Sequence, residues 1–201
     1  MSRLTRCVRA AGLVVTVGGA LAGAPGHATA TPITYTEQAT ATGSLGGVAF
    51  TGADVVLTLL GDTAAVASPQ AGVFINGGTA SVSVAGVGTA TFSDSVVVFA
   101  NQGVGLGFTD MTLPSDVLDT LGATFGSYDL TTALAPVTGT AMFNAQSAFA
   151  TSGGTFLLSA VDGGPTFAAT MTAVPEPASL TLLAGGLLGL GALRRRRRRM
   201  G

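Results

Sequence analysis

The sequence predicts an all-β protein, an antiparallel β-sandwich or jelly-roll-like body of about ten short strands framed by an N-terminal signal peptide and a C-terminal transmembrane helix. Three observations carry this. Period-two alternation runs through a long central stretch rich in Thr, Val, Ala, Ser and Gly. Clusters of Gly, Asn and Asp punctuate that alternation roughly every ten residues, the spacing of short strands and tight turns. Charge is segregated: all nine basic residues are arginines, at Arg3, Arg6, Arg9 and Arg194 to Arg199, and residues 31–173 contain no Lys, Arg or His.

Residues 1–30 have the order of a secretory signal peptide. Arg3, Arg6 and Arg9 supply the positive start and Ala10 to Ala22 the short apolar run. Ala28 and Ala30 form the small-residue site at which signal peptidase is expected to cut, after Ala30. Ala20-Leu21-Ala22 is a rival site that leaves little chain after the apolar run.

The body, residues 31–173, opens with Ile33, Tyr35 and Glu37 alternating against Thr34, Thr36 and Gln38. Ser81 to Val84 and Thr89 to Ser93 alternate in the same way. Further strands are expected at Val55 to Leu60, Gly72 to Ile75, Val96 to Ala100 and Val104 to Phe108. Later ones fall at Val137 to Phe143, Gln146 to Ala150, Thr155 to Val161 and Thr166 to Thr172. Turn chemistry separates them at Gly61-Asp62, Asn76-Gly77-Gly78, Asn101-Gln102-Gly103, Gly153-Gly154 and Asp162-Gly163-Gly164-Pro165. Pro114 to Leu121 reads differently: a capping serine, early acids, and apolar Val117, Leu118 and Leu121 predict a connecting helix of one or two turns.

Composition excludes several functions. The body holds Glu37 and eight aspartates, a formal charge of −9, with no cation to meet a phosphate, so nucleic-acid binding is excluded. Cys7 and His27 both lie in the leader, so the body has no disulfide, no histidine triad, no Cys–His dyad and no His- or Cys-ligated metal site. No organic cofactor is implied.

Carboxylates and hydroxyls remain. A pair of acids suffices for glycoside hydrolysis, but Asp54, Asp62, Asp110 and Asp162 stand beside Gly, Thr or strand ends, where aspartate ordinarily shapes turns. Calcium suits a body that offers only oxygen ligands, and Asp116, Asp119 and Asp162 are the candidates. Asp116 and Asp119 are close in sequence and Asp162 opens a Gly-rich segment, yet no calcium-loop pattern joins them. Solvated turn and cap aspartates are the alternative. Sugar binding lacks its usual platforms, with no Trp and only Tyr35 and Tyr128 among tyrosines. Gly103, Gly105 and Gly107 sit in a strand-like stretch with no following helix, which argues against a phosphate loop.

The last segment, residues 174–201, has its own grammar. Pro175-Glu176-Pro177 precedes an apolar run from Ala178 to Leu193, and six arginines follow: Arg194, Arg195, Arg196, Arg197, Arg198 and Arg199. As a helix of residues 178–193 the run spans about 24 Å, short for a bilayer core of about 30 Å. The arginines hold its end at the cytoplasmic face of the inner membrane.

This tail resembles the PEP-CTERM sorting signal of Gram-negative bacteria that make exopolysaccharide. The resemblance implies recognition at Pro175, Glu176 and Pro177 by an exosortase, an integral-membrane cysteine transpeptidase that cuts near the triplet. It implies transient residence in the inner membrane and delivery to the cell surface, outer envelope or extracellular (biofilm) matrix. The body, with Gly43 to Gly47 and Gly88 to Phe92, loosely resembles all-β proteins found upstream of such tails. The expectation is a non-enzymatic exported surface or matrix protein. A calcium- or polysaccharide-binding adhesin stands second and an acid-pair glycoside hydrolase third.

Overall fold

A computed structural model describes residues 31–122 and 125–172. The signal peptide, Ala28 and Ala30, the Pro-Glu-Pro triplet, the expected helix at 178–193 and the arginine cluster lie outside the described residues. Among those described, no helix is long and apolar enough to cross a membrane.

The described residues form twelve strands, in chain order β1 (Pro32–Leu45), β2 (Val48–Asp62), β3 (Ala67–Gln70), β4 (Val73–Val84), β5 (Gly88–Thr91) and β6 (Val96–Asn101). Then come β7 (Gly105–Asp110), β8 (Ser115–Leu121), β9 (Leu134–Thr138), β10 (Thr140–Met142), β11 (Phe149–Thr151) and β12 (Gly154–Met171). One 3-10 turn, Thr63–Ala65, is capped by Asp62, whose Oδ1 accepts from the Ala64 amide at 2.8 Å. All pairings are antiparallel, and the strands form one sheet ordered β10-β8-β7-β6-β4-β2-β1-β12-β11.

The sheet curls into a nearly closed barrel because two strands change partners along their length. The first part of β4 pairs with β6 and the rest with β2 and β5. The corner falls at Gly77-Gly78, where a Cβ on Gly78 would collide with the Leu60 carbonyl oxygen. The second corner is Gly139: β9 pairs with β12 before it and β10 pairs with β8 after it, which brings the two sides of the sheet together. At the far end a bridge from Phe92 to Thr151, with the Ser93 amide bonded to the Ala150 carbonyl at 2.9 Å, joins the chain after β5 to β11. Strands that switch sheets at glycine corners are the known way to turn a sandwich into a barrel.

Two expectations fail for one reason. Asn76-Gly77-Gly78 and Asp162-Gly163-Gly164-Pro165 are not turns between strands; the first is the corner within β4. The second is a bulge inside β12, where Gln38 and Thr40 of β1 pair with Thr166 and Asp162. Fragments expected as separate short strands therefore fuse, and β12 runs for 18 residues and β4 for 12. The helix expected at Pro114 to Leu121 is also corrected. Ser115 to Leu121 is strand β8, hydrogen-bonded between β7 and β10. Its helix-like cluster of apolar residues comes from a bulge: Phe108 pairs with Leu118 and Thr109 with Asp116, so Val117 is unopposed and both Val117 and Leu118 are buried.

Seven of the ten phenylalanines are buried, so they are core and not surface platforms. Phe92 meets Phe149 and Phe156 edge-on at 6.5 and 6.1 Å between centroids. The loop from Phe125 to Thr132 closes the end of the barrel near Tyr35. Phe125, Tyr128 and Leu130 are buried there, and Leu130 holds a left-handed backbone at φ 67°. A leucine tolerates that conformation only when its surroundings impose it. Here the Tyr35 hydroxyl donates to the Leu130 carbonyl at 2.6 Å.

Candidate functional site

Three places on the body gather polar groups, and a fourth feature is where the chain leaves it. Alternation along β1 puts Ile33, Tyr35, Glu37, Ala39 and Ala41 on the inward face, all buried. Glu37 is thus a carboxyl inside the barrel. Its Oε1 accepts from the Thr120 hydroxyl of β8 at 2.7 Å, and its Oε2 has no hydrogen-bond partner. Burial pushes its pKa well above the usual carboxylate range; the Thr120 bond pulls the other way and the neighbouring Asp119 adds to the rise.

Asp119 itself is fully buried, with both carboxyl oxygens unpartnered. Gly107, its register partner on β7, makes this possible: a Cβ there would clash with Asp119 Oδ1 and with the Leu118 carbonyl oxygen. Burial first, and the charge of Asp116 second, push Asp119 up to about 9. The Gly105-Leu106-Gly107 stretch thus serves close strand packing and not phosphate binding. Next to this pair, Asn76 donates to the Tyr35 hydroxyl at 2.7 Å and to the Asp62 carbonyl at 3.1 Å. Burial, more than the opposing Asn76 bond, raises the Tyr35 phenol to about 12. Neither Glu37 nor Asp119 reaches the surface, so the two carboxyls form no open acid pair.

The surface groove lies where the β12 bulge parts that strand from β1. It encloses about 490 Å³, and its lining includes Gln38, Thr40, Asp54, Pro136, Asp162 and Thr166. Thr40 pairs with Asp54 on one side and with Asp162 on the other, so the two exposed carboxylates flank one threonine across three strands. The Thr40 hydroxyl donates to Asp54 Oδ1 at 3.4 Å. Asp54 and Asp162, read from sequence as turn residues, are strand residues. Asp62 and Asp110 do shape turns, the latter through Oδ1 accepting from the Thr112 amide at 2.6 Å.

A smaller hollow of about 320 Å³ is lined by Pro114, Ser115, Asp116, Met142, Phe143 and Asn144. The three calcium candidates do not converge. Asp116 and Asp119 stand on β8 and Asp162 on β12, with β9 and β10 between those strands. Asp116 is partly buried, Asp119 closed off and Asp162 exposed. Among the described residues no group of three or more His, Cys, Asp or Glu is placed to hold a metal ion. Sequence reasoning put Glu37 on the same face as Ile33 and Tyr35 but drew no consequence from it. The Asn76 network carried no local signal.

The chain leaves the barrel beside the place it enters. Ile33 pairs with Met171, and the Thr172 amide donates to the Pro32 carbonyl at 3.1 Å. The body is therefore a barrel of antiparallel strands whose last strand leads directly into a C-terminal segment.

Residues 173–198 of that segment match the family model of the PEP-CTERM protein-sorting motif. The chain is an exported protein carrying a PEP-CTERM signal, sorted at the membrane through exosortase. No curated protein and no solved structure matches it.

Proposed function

We propose that the mature protein is a non-enzymatic component of the cell surface or extracellular matrix, freed from the inner membrane when its tail is removed. The observation behind this is a barrel joined to a sorting signal, with no Lys, Arg, His or Cys in residues 31–173 to serve as base, nucleophile or phosphate clamp. Pro175, Glu176 and Pro177 act as recognition residues for the processing enzyme, and Arg194 to Arg199 as the cytoplasmic stop. Cell fractionation tests it: removing residues 174–201 strands the protein in the periplasm. Unchanged surface delivery of that truncation would sink the proposal.

A second role, holding matrix polysaccharide or calcium, is supported by the groove between Asp54 and Asp162, whose exposed oxygens suit sugar hydroxyls or a hard cation. Calorimetry with calcium and with matrix glycan tests this. Absence of heat from both would remove it.

A further inference from the structure

The two targeting segments are far apart in sequence, yet the fold brings their attachment points together. β1 is not an edge strand at its start. Pro32 pairs with Asp62 of β2 on one side, and its carbonyl accepts from Thr172 on the other. The Thr63 amide bonds to the Thr31 carbonyl at 3.1 Å, one residue after the expected leader cut. Inward-facing Ile33, Tyr35, Phe167 and Ala169, each at most 2% exposed, fasten this end of the ladder to the core. Among the described residues pairing reaches Thr172, and in the sequence two residues, Ala173 and Val174, stand between it and Pro175.

From Met171 to Pro175 the chain spans at most about 14 Å when fully extended. An enzyme gripping Pro175-Glu176-Pro177 must therefore work against the barrel end itself. Exposed Leu60 and Met171 leave apolar surface beside the exit. We infer that the end of the barrel where β1 begins and β12 ends is the face docked by the membrane-embedded processing enzyme. The β1–β12 ladder sets the distance at which the triplet is presented. This rests on the sorting role proposed above and adds a geometric requirement to it.

The test uses the full chain in a host that carries the processing enzyme, with processed and unprocessed forms separated by intact mass. Deleting Thr172 and Ala173 leaves the triplet intact, and the Val174 amide then takes the place of Thr172 opposite Pro32. Processing should fall about a hundredfold, because the triplet no longer reaches its position in the enzyme. Adding Thr170→Pro to that deletion removes a ladder donor, loosens the end of β12 and should return processing toward the unaltered level. A six-residue Gly/Ser insertion after Thr172 should lower processing as well, because it carries the triplet away from the docked end, and normal processing of the insertion variant would overturn the inference.

Normal processing of the deletion variant would overturn the inference, and so would failure of Thr170→Pro to restore it while the barrel stays folded by protease resistance. A separate variant replacing Pro175, Glu176 and Pro177 by alanine tests the sorting role. Normal processing of that variant would remove the sorting role, whatever the deletion shows.

Discussion

The two ends of the barrel are built differently. The end away from the chain termini is held by aromatic and aliphatic packing: Phe92, Phe149 and Phe156 meet edge-on, with Leu45 and Leu158 also buried. The end at the termini places polar groups inside: Tyr35, Glu37, Asn76 and Thr120, with Leu130 held over them by the Tyr35 hydroxyl. Apolar packing is non-directional and tolerates small adjustments. A buried polar network constrains geometry but costs stability wherever an atom lacks a partner, as at Glu37 Oε2 and Asn76 Oδ1. The end that must present two chain termini in register is thus the end with directional interactions.

The largest effect expected in breaking this contrast is in the aromatic half. Phe156→Ala should lower unfolding free energy by about 3–5 kcal/mol, read from denaturant curves, because it removes a fully buried ring that Phe92 packs against. Tyr35→Phe should cost less, about 1–3 kcal/mol, since shape is kept and the hydrogen bonds of Leu130 and Asn76 lose their partner. Hydrogen exchange should show the loss concentrated in the loop from Phe125 to Thr132. A loss spread evenly over the barrel would contradict the pinning role of Tyr35.

The next test concerns slope with pH. Glu37 and Asp119 are raised in the folded state by burial, whereas in the unfolded chain they ionise in the ordinary carboxylate range. Above that range the unfolded state binds fewer protons, so stability falls with rising pH. Their contribution is complete below the ordinary carboxylate range and, for Asp119, is lost as pH rises through about 9. Melting temperatures at pH 4 and pH 8 should show the difference, and Glu37→Gln or Asp119→Asn should flatten it and raise stability at pH 8. Equal pH dependence in both variants and the unaltered protein would show that these carboxyls are not the source. Smallest of all, Asp54→Asn at the surface groove should change stability by no more than about 0.5 kcal/mol, leaving any change in ligand heat as its readout.

Much of this architecture was legible in the residues. Most expected strands appear as strands or as parts of strands, because period-two alternation reports a sheet face directly. Of Gln146 to Ala150, however, only Phe149 and Ala150 lie in a strand, and Val137 to Phe143 breaks at Gly139. Asn101-Gln102-Gly103 and Gly153-Gly154 are hairpin connections, as turn chemistry indicated. What local chemistry did not distinguish is a glycine that ends a strand from one that bends it. Gly77-Gly78 and Gly163-Gly164 carry the same signal as a turn, and only the strands that pair with the residues before and after them carry β4 and β12 through. The same limit hid β8, whose serine cap and apolar cluster fit a helix until β7 and β10 claimed its backbone.

By itself the sequence determined the segregation of charge, the antiparallel β character of the body and the sorting signal of residues 173–198, since these depend on composition and on short-range order. Tertiary structure alone decided that the sheet closes, that Glu37 and Asp119 lie beyond the reach of solvent, and that Asp54 and Asp162 share a groove. It also decided that Pro32 and Thr172 meet. Each of these depends on residues distant in the chain being held by common partners, and a backbone pairing between such residues leaves no trace in either segment alone.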